Sequence, residues 1–439
     1  RQPHHVTRKL EPTTVVGSLT ECEPRSHALK LTRATAVQMT RSLSVALITV
    51  FLLGCGAAEG ELGHKTQQWD SAGVMIAETS GPIWGEPPTW TTSPEPSVSV
   101  GALEGRPEYL LSRVFSAALL SDGTIVVADG GSSSLRWYDA SGTFLFERGG
   151  RGEGPGEFGR IGSVVRAAAD TLVVTDGSLR RISEYTSSGD LVGTRQIEGV
   201  VVPGAAEPLS DGTFIVGAVG FSSRQLTGEE EGMERTLEPL LRIGVGLEGP
   251  DTLGMFPGPE IYFTKNSFGF HPFGRAFNYA VRGDIVFVAA AEGFVVDVYS
   301  AEGALVRSIR APEVDLRLTP ESIAEYQQGV RESVSDLDES VAKEVVDRAE
   351  GMPFPDDRPA YGRFLAGDET LWLEEHTAGQ TEGPSRWAVF GHDGEYRGTA
   401  ALPAGFRLLG VSRDRVLGVW TDDLGVEYVR VHELVESDL

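Results

Sequence analysis

The chain has 439 residues, 63 acidic against 38 basic side chains, and a formal charge of −25. So large a negative excess repels nucleic acid and anionic lipid surfaces, and it excludes a protein that works by gripping phosphate backbones. Cysteine occurs only at Cys22 and Cys55, both ahead of the strand-patterned part, so a disulfide framework is excluded as well.

In chain order, residues 1–38 show no apolar period, begin with Arg1, and read as an upstream extension or disordered chain ahead of a natural start at Met39. Thr40-Arg41 then gives a small basic region, and Leu43 to Gly54 an apolar segment of 12 residues, too short to span a bilayer as a helix. These are the proportions of a signal peptide. Its end, Leu52-Leu53-Gly54-Cys55, resembles the bacterial lipobox. The resemblance implies lipidation of Cys55 and a membrane anchor that does not span the bilayer. Because Gly56 rather than Asp follows, it also implies an exported lipoprotein on the periplasmic face of the outer membrane or at the cell surface. Residues 56–72 read as a flexible tether.

From residue 73 onward the sequence repeats. Ser121-Asp122-Gly123 precedes TIVVAD (124–129), Ala169-Asp170 precedes TLVVTD (171–176), and Ser210-Asp211-Gly212 precedes TFIVGA (213–218). The same turn-plus-strand unit recurs at 282–289, 367–375 and 413–420, six times in all. Asp and Gly suit tight turns, and the β-branched residues that follow suit a pleated, buried surface. A second hairpin follows the first in four units: SLRWYDASG (134–142), RRISEYTSSG (180–189), FVVDVYSAEG (294–303) and RWAVFGHDG (386–394), with an aromatic ahead of each turn glycine. Four antiparallel strands repeated in this way read as an all-β fold, a six-bladed β-propeller of four-stranded blades over 73–436. The last unit offers only three strands, so GVMIAET (73–79) is expected to supply its outer strand and close the ring.

The Asp-Gly turns, the VVAD and VVTD strands, the R-x-Y-D-x-x-G hairpin and the glycine-rich crossing Gly150-Arg151-Gly152-Glu153-Gly154-Pro155-Gly156-Glu157-Phe158 together resemble bacterial six-bladed propellers of the NHL-repeat and TolB-like kind. That resemblance implies an architecture shared by scaffolds, ligand binders and unrelated enzymes, and therefore says little about activity. The crossing does not read as a phosphate loop. Pro155 breaks the required spacing and a strand rather than a helix follows, whereas Gly101-x-x-Glu104-Gly105-x-x-Glu108-Tyr109 repeats it and Gly258-Pro259-Glu260 is a worn copy.

Long insertions fall at 219–239, 250–277 and 311–362, all on the face of the 2–3 loops and blade crossings, which makes that face the candidate binding surface. The 250–277 stretch crowds together Phe256, Tyr262, Phe263, Phe268, Phe270, His271, Phe273 and Phe277; of these, Tyr262, Phe268, Phe270 and His271 are the candidate ligand contacts. The 311–362 insertion carries one helix, opened by Thr319-Pro320-Glu321 and marked by Ile323, Tyr326, Val330, Val334, Leu337, Val341 and Val345.

Nucleophile elbows, zinc helices and paired cysteines are absent from the sequence. Asp129 and Asp176 end equivalent strands and are the weak candidates for a calcium ion in a central channel, against the plainer reading that they accept hydrogen bonds from loop amides. Arg136 and Arg181 are expected to pair with acids of neighbouring blades or to meet a ligand. The sequence therefore favours a monomeric, lipid-anchored envelope propeller that binds a small ligand or an envelope protein, with no cofactor required. The alternative is a calcium-dependent hydrolase or lactonase working in the channel.

Overall fold

The computed structural model describes residues 64–198, 202–219, 231–244, 249–264, 267–312, 315–378 and 383–437. The extension 1–38, the signal segment 39–55 and Cys55 itself lie outside these residues.

The Asp-Gly connections close as expected because the aspartate mimics a backbone acceptor: Asp122 Oδ1 accepts from the Thr124 amide at 2.9 Å, and Asp211 Oδ1 from the Thr213 amide at 2.9 Å. Between such turns the β-branched runs pair in antiparallel ladders. Val114–Leu119, Ile125–Asp129, Ser134–Tyr138 and Phe144–Gly149 form one four-stranded sheet; Ile161–Arg166, Leu172–Asp176, Arg181–Tyr185 and Leu191–Gln196 form a second. The third holds five strands, Val202–Pro208, Phe214–Val219, Gly232–Ile243, Asp251–Thr264 and Ser267–Phe270. In the fourth, Asn278–Arg282, Ile285–Ala289, Val295–Ser300 and Leu305–Arg310 are extended outward by Val74–Thr79 and Thr66–Ser71. The remaining strands form one larger sheet. In it Trp90–Thr92 joins the group Phe364–Ala366, Thr370–Glu374, Ser385–Gly391 and Tyr396–Leu402 to the group Phe406–Ser412, Arg415–Thr421 and Glu427–Glu436, with Val98–Val100 paired to the last strand.

Strand alternation decides how these sheets pack. In Ile125–Asp129, Val126 and Ala128 turn toward Phe158 of the crossing and Ile161 and Val174 of the second sheet, while Ile125 and Val127 turn the other way, toward Leu417, Val429 and Val431. Each sheet is thus buried on both faces, which is why VVAD-type strands read as unbroken apolar runs. Equivalent shared cores lie between the second and third sheets around Ile182 and Val216, and between the third and fourth around Ile215 and Val286. Two more join the fourth sheet to the Thr370–Glu374 group around Phe287 and Phe390, and that group to the Phe406–Ser412 group around Trp387 and Val416. Full burial of a side chain of this size contributes about 1.5–3 kcal/mol. The first strand of each group also lies beside the first strand of the next, from Val114–Leu119 round to Phe406–Ser412, which touches Val114–Leu119 again. This mostly-β arrangement of curled sheets is consistent with a β-propeller.

Five expectations are corrected. Residues 74–79 do not pair with the final strand; they run parallel to Leu305–Arg310, and Val98–Val100 takes the edge of Glu427–Glu436 instead. An edge strand carries a short apolar alternation that fits any open edge, so pattern alone does not select the partner. Within the expected tether, Thr66–Ser71 is a strand paired with Val74–Thr79. The 219–239 and 250–277 insertions are, over their described residues, largely sheet: Gly232–Ile243 and Asp251–Thr264 make a long hairpin, and the worn crossing copy at Gly258 lies inside it. Separate four-stranded blades are replaced in the C-terminal half by the joined sheet. Finally, the single helix is two, α1 (Pro320–Ser333) and α2 (Glu339–Gly351), capped by Thr319 and Asp338. Asp338 accepts from the Ser340 amide at 2.9 Å and so starts a new helix in the middle of what reads as one apolar period.

The glycine-rich crossing packs as a hinge between the first two sheets. Phe158 is fully buried between them, and Gly149 and Gly150 adopt φ of 99° and 135°. A Cβ on Gly149 would stand 2.7 Å from the Phe158 ring, so glycine is required for the aromatic to seat.

Candidate functional site

Asp129 and Asp176, the weak metal candidates, are buried at strand ends, each 1 % exposed. Asp129 accepts hydrogen bonds from the Ser112, Gly131 and Ser132 amides and from Ser132 Oγ at 2.7 Å. Asp176 accepts from the Gly159, Arg160, Ser178 and Leu179 amides. Their lone pairs are spent on the backbone of two equivalent loops, so neither carboxylate stands open to a cation. Among the described residues no group of three or more His, Cys, Asp or Glu is placed to hold a metal ion. The calcium site inferred from these two aspartates does not fit the donors present.

Arg136 and Arg181 serve the same loops. Arg136 Nη1 donates to the carbonyls of Pro107, Glu108 and Leu110, and its Nη2 lies 3.2 Å from Asp129. Arg181 donates to the carbonyls of Glu153, Gly154 and Glu157. The expected partners in neighbouring blades are replaced by backbone carbonyls of the crossings and, for Arg136, by acids of its own sheet, Asp129 and Glu147. A guanidinium has five donors, enough to tie down a whole turn, which fixes both arginines as anchors of the crossings.

The four ligand candidates of the aromatic stretch divide into a buried pair, Tyr262 and His271, whose rings meet edge to face at 6.0 Å, and an exposed pair, Phe268 and Phe270. Tyr262 is buried against Ala349 and Met352 of the helical insertion. His271 is 5 % exposed; its Nδ1 accepts from the Phe273 amide at 3.0 Å, so the proton sits on Nε2, which has no partner. Burial pushes its pKa down to about 4, and the ring is neutral at pH 7. Phe268 and Phe270, by contrast, are 59 % and 69 % exposed beyond the long hairpin.

A cavity of about 380 Å³ opens where the two insertions meet the end of a strand. Phe273, Ser322, Glu325, Tyr326, Arg358 and His376 line it. None of the four ligand contacts expected from the sequence is among them, and only Phe273 comes from the aromatic stretch. Phe273 and Tyr326 meet edge to face at 5.6 Å and form the apolar wall. His376 places Nε2 3.0 Å from the Pro272 carbonyl, which fixes the proton there and leaves Nδ1 as an acceptor; burial lowers its pKa. Neither the Glu325 carboxylate nor the Arg358 guanidinium has a hydrogen-bond or ion-pair partner among the described residues. An aromatic wall, a neutral imidazole acceptor and two uncommitted opposite charges suit a small amphipathic molecule. The one sequence signal for this site is the coincidence of an aromatic insertion with a helical one; Arg358 and His376 carry none.

The larger cavity, about 720 Å³, runs among the first strands of the sheets. Its lining includes Arg166, Ser210, Gly283, Asp368 and Ser412, residues at or beside the short turns, so it opens on the face opposite the insertions.

No family model and no curated protein matches the chain. Among solved structures, a presumed exported protein of Bacteroides fragilis is 11 % identical and superimposes with a TM-score of 0.47, covering 83 % of this chain and 100 % of its own. A DUF4221-family protein of Bacteroides vulgatus is 10 % identical at a TM-score of 0.44, over 77 % and 97 %. A gluconolactonase of Xanthomonas campestris is 12 % identical at 0.38, over 73 % and 86 %. Overlaps this loose say nothing about activity.

Proposed function

We propose that this chain is an exported, lipid-anchored six-bladed β-propeller that binds a small amphipathic ligand in the cavity between α1 and the His271–Phe273 and His376–Ala378 segments. The blade count rests on the apolar cores, each shared by two successive strand groups, and on the circuit of first strands that returns to Val114–Leu119. The address rests on the apolar segment that ends at Cys55. Among the described residues no helix is long and apolar enough to cross a membrane.

The observation that carries the ligand reading is the pairing of uncommitted Glu325 and Arg358 with the Phe273–Tyr326 wall. Here two opposite charges and a neutral imidazole converge on a cleft with one aromatic wall, which supplies both the polar and the apolar contacts an amphipathic ligand needs. Ligand-observed NMR on the full chain carrying Cys55→Ser, with a panel of small aromatic carboxylates, amines and amino acids, tests it. At least one member is expected to bind, with tenfold weaker affinity after Arg358→Ala or Tyr326→Ala. Binding that survives both substitutions would place the ligand elsewhere. The anchor has a separate test: Cys55→Ser releases the protein from membrane fractions.

A further inference from the structure

The channel among the first strands holds a carboxylate that the fold does not satisfy. Glu207, on Val202–Pro208, is only 12 % exposed, and its Oε2 is buried with no hydrogen-bond partner. The nearest cation is Arg282, whose Nη1 stands 3.6 Å away, outside hydrogen-bond reach. Arg282 is held there by other bonds: it donates to the carbonyls of Val281, Ala366 and Gly367 and cannot turn to the carboxylate without breaking them. Burial accordingly raises the Glu207 pKa, despite Arg282 and the Val281 amide, which both lower it.

Ser163, on the adjacent first strand Ile161–Arg166, presents a second buried oxygen without a partner to the same channel. Around them the walls are apolar, with Ala117, Val165, Ala205, Val281, Leu365 and Val411. The other charged groups of the lining have partners of their own: Arg166 with Asp170 at 2.6 Å, Glu184 with Arg195 at 3.3 Å, Asp368 with Ser412 Oγ at 3.0 Å, and, more distantly, Arg415 with Asp414 at 3.8 Å.

We propose that the channel is a second binding site, for a small organic cation: a primary ammonium on an apolar body, which donates to Glu207 Oε2 and Ser163 Oγ. An ionised carboxylate is acceptor-only, and an ammonium brings three donors, one of which can reach the Oε2 that Arg282 at 3.6 Å leaves without a hydrogen bond. The apolar walls set the body of the ligand. The chain's charge of −25 concentrates cations at the mouth of a low-dielectric cleft. A bare metal ion is a poor occupant, because among the described residues no group of three or more His, Cys, Asp or Glu is placed to hold one.

The test titrates hexylamine, hexanol and hexanoate into the full chain carrying Cys55→Ser, at pH 7.5, by calorimetry. Hexylamine is expected to bind at least tenfold tighter than the alcohol, and Glu207→Gln to erase that advantage. Ser163→Ala is expected to weaken the amine a few-fold, and Arg358→Ala, in the other cavity, to leave it unchanged. A thermal midpoint in Glu207→Gln no lower than that of the parent shows that the variant is folded. Equal binding of amine and alcohol, tighter binding of hexanoate, no binding of any probe, or an amine preference that survives Glu207→Gln would each overturn the proposal.

Discussion

The first two sheets and the third solve one problem differently. In the first two, a strand-end aspartate collects the amides of a loop and an arginine on the next strand collects the carbonyls of a crossing, with Asp129 and Arg136 in one copy and Asp176 and Arg181 in the other. In the third, Ala218 stands where the aspartate would be, and order comes from added structure. The Gly232–Ile243 and Asp251–Thr264 hairpin lengthens, Arg235 holds the carbonyls of Gly258 and Ala290, and Glu260 pairs with Arg275 at 2.5 Å. The repeated aspartates are saturated by loop amides, although Ser163 Oγ, Arg181 Nε, Ser183 Oγ and Tyr185 Oη of the second sheet are buried without a partner. Added structure leaves the smaller cavity, which is lined wholly by residues after this point in the chain, while the larger one is shared among the first strands of all the sheets.

The comparison is broken most severely at Asp129. Asp129→Ala strips several loop hydrogen bonds and leaves the buried Arg136 with only the more distant and more exposed Glu147, so a loss of about 3–5 kcal/mol is expected in urea titrations. Asp176→Ala removes four amide bonds but no ion pair, and about 2–3 kcal/mol is expected. Equal losses would show that Arg136 does not depend on Asp129.

Acid is expected to act on the irregular side. The neutral His271 ring, with a folded pKa of about 4 against an ordinary 6.5, contributes stability that is complete above pH 6.5 and is lost as the pH falls toward 4. The loss amounts to roughly 3 kcal/mol at the lower end, and His376, His392 and His432, all lowered by burial, add to it in the same direction. In His271→Phe the fall in urea midpoint between pH 7 and pH 4.5 should shrink; an unchanged slope would exonerate this residue.

A smaller effect belongs to Gly217. In the third sheet it lies flat against Tyr279, and a Cβ there would approach the tyrosine ring to 2.4 Å. Gly217→Ala is expected to cost about 1–3 kcal/mol by displacing Tyr279 from its hydrogen bond to the Ala205 carbonyl at 2.5 Å. Thermal melts would show it.

Much of the regular half is legible in the sequence because its determinants are local. Asp122 and Asp211 announce their turns, the period of two in 125–129 distributes side chains between two cores, and Tyr138, Tyr185 and Phe390 are buried where the spacing puts them. What the sequence hides depends on the partner. The 74–79 strand fits more than one edge, and the apolar series Val334, Leu337, Val341 runs through a helix break that one aspartate decides. The cavity residues 273, 326, 358 and 376 are brought together by no spacing, only by how α1 lies over the strand ends. In sequence, Glu207 is any acid before a turn.

That residue gives the mildest and most discriminating prediction, because its sign opposes Asp129. Burial raises the Glu207 pKa, so the folded protein keeps a proton that the unfolded chain has already lost. Stability therefore falls as the pH climbs from about 4.3 through the raised value, and the full penalty applies above it. Gln at this position keeps the shape and removes the uncompensated charge. At pH 8, Glu207→Gln is expected to be at least as stable as the parent, with a gain of up to about 1 kcal/mol that disappears by pH 4. A loss comparable to that of Asp129→Ala would mean that Glu207, too, is saturated by the fold, and the contrast between the two halves would fail at its most exposed point.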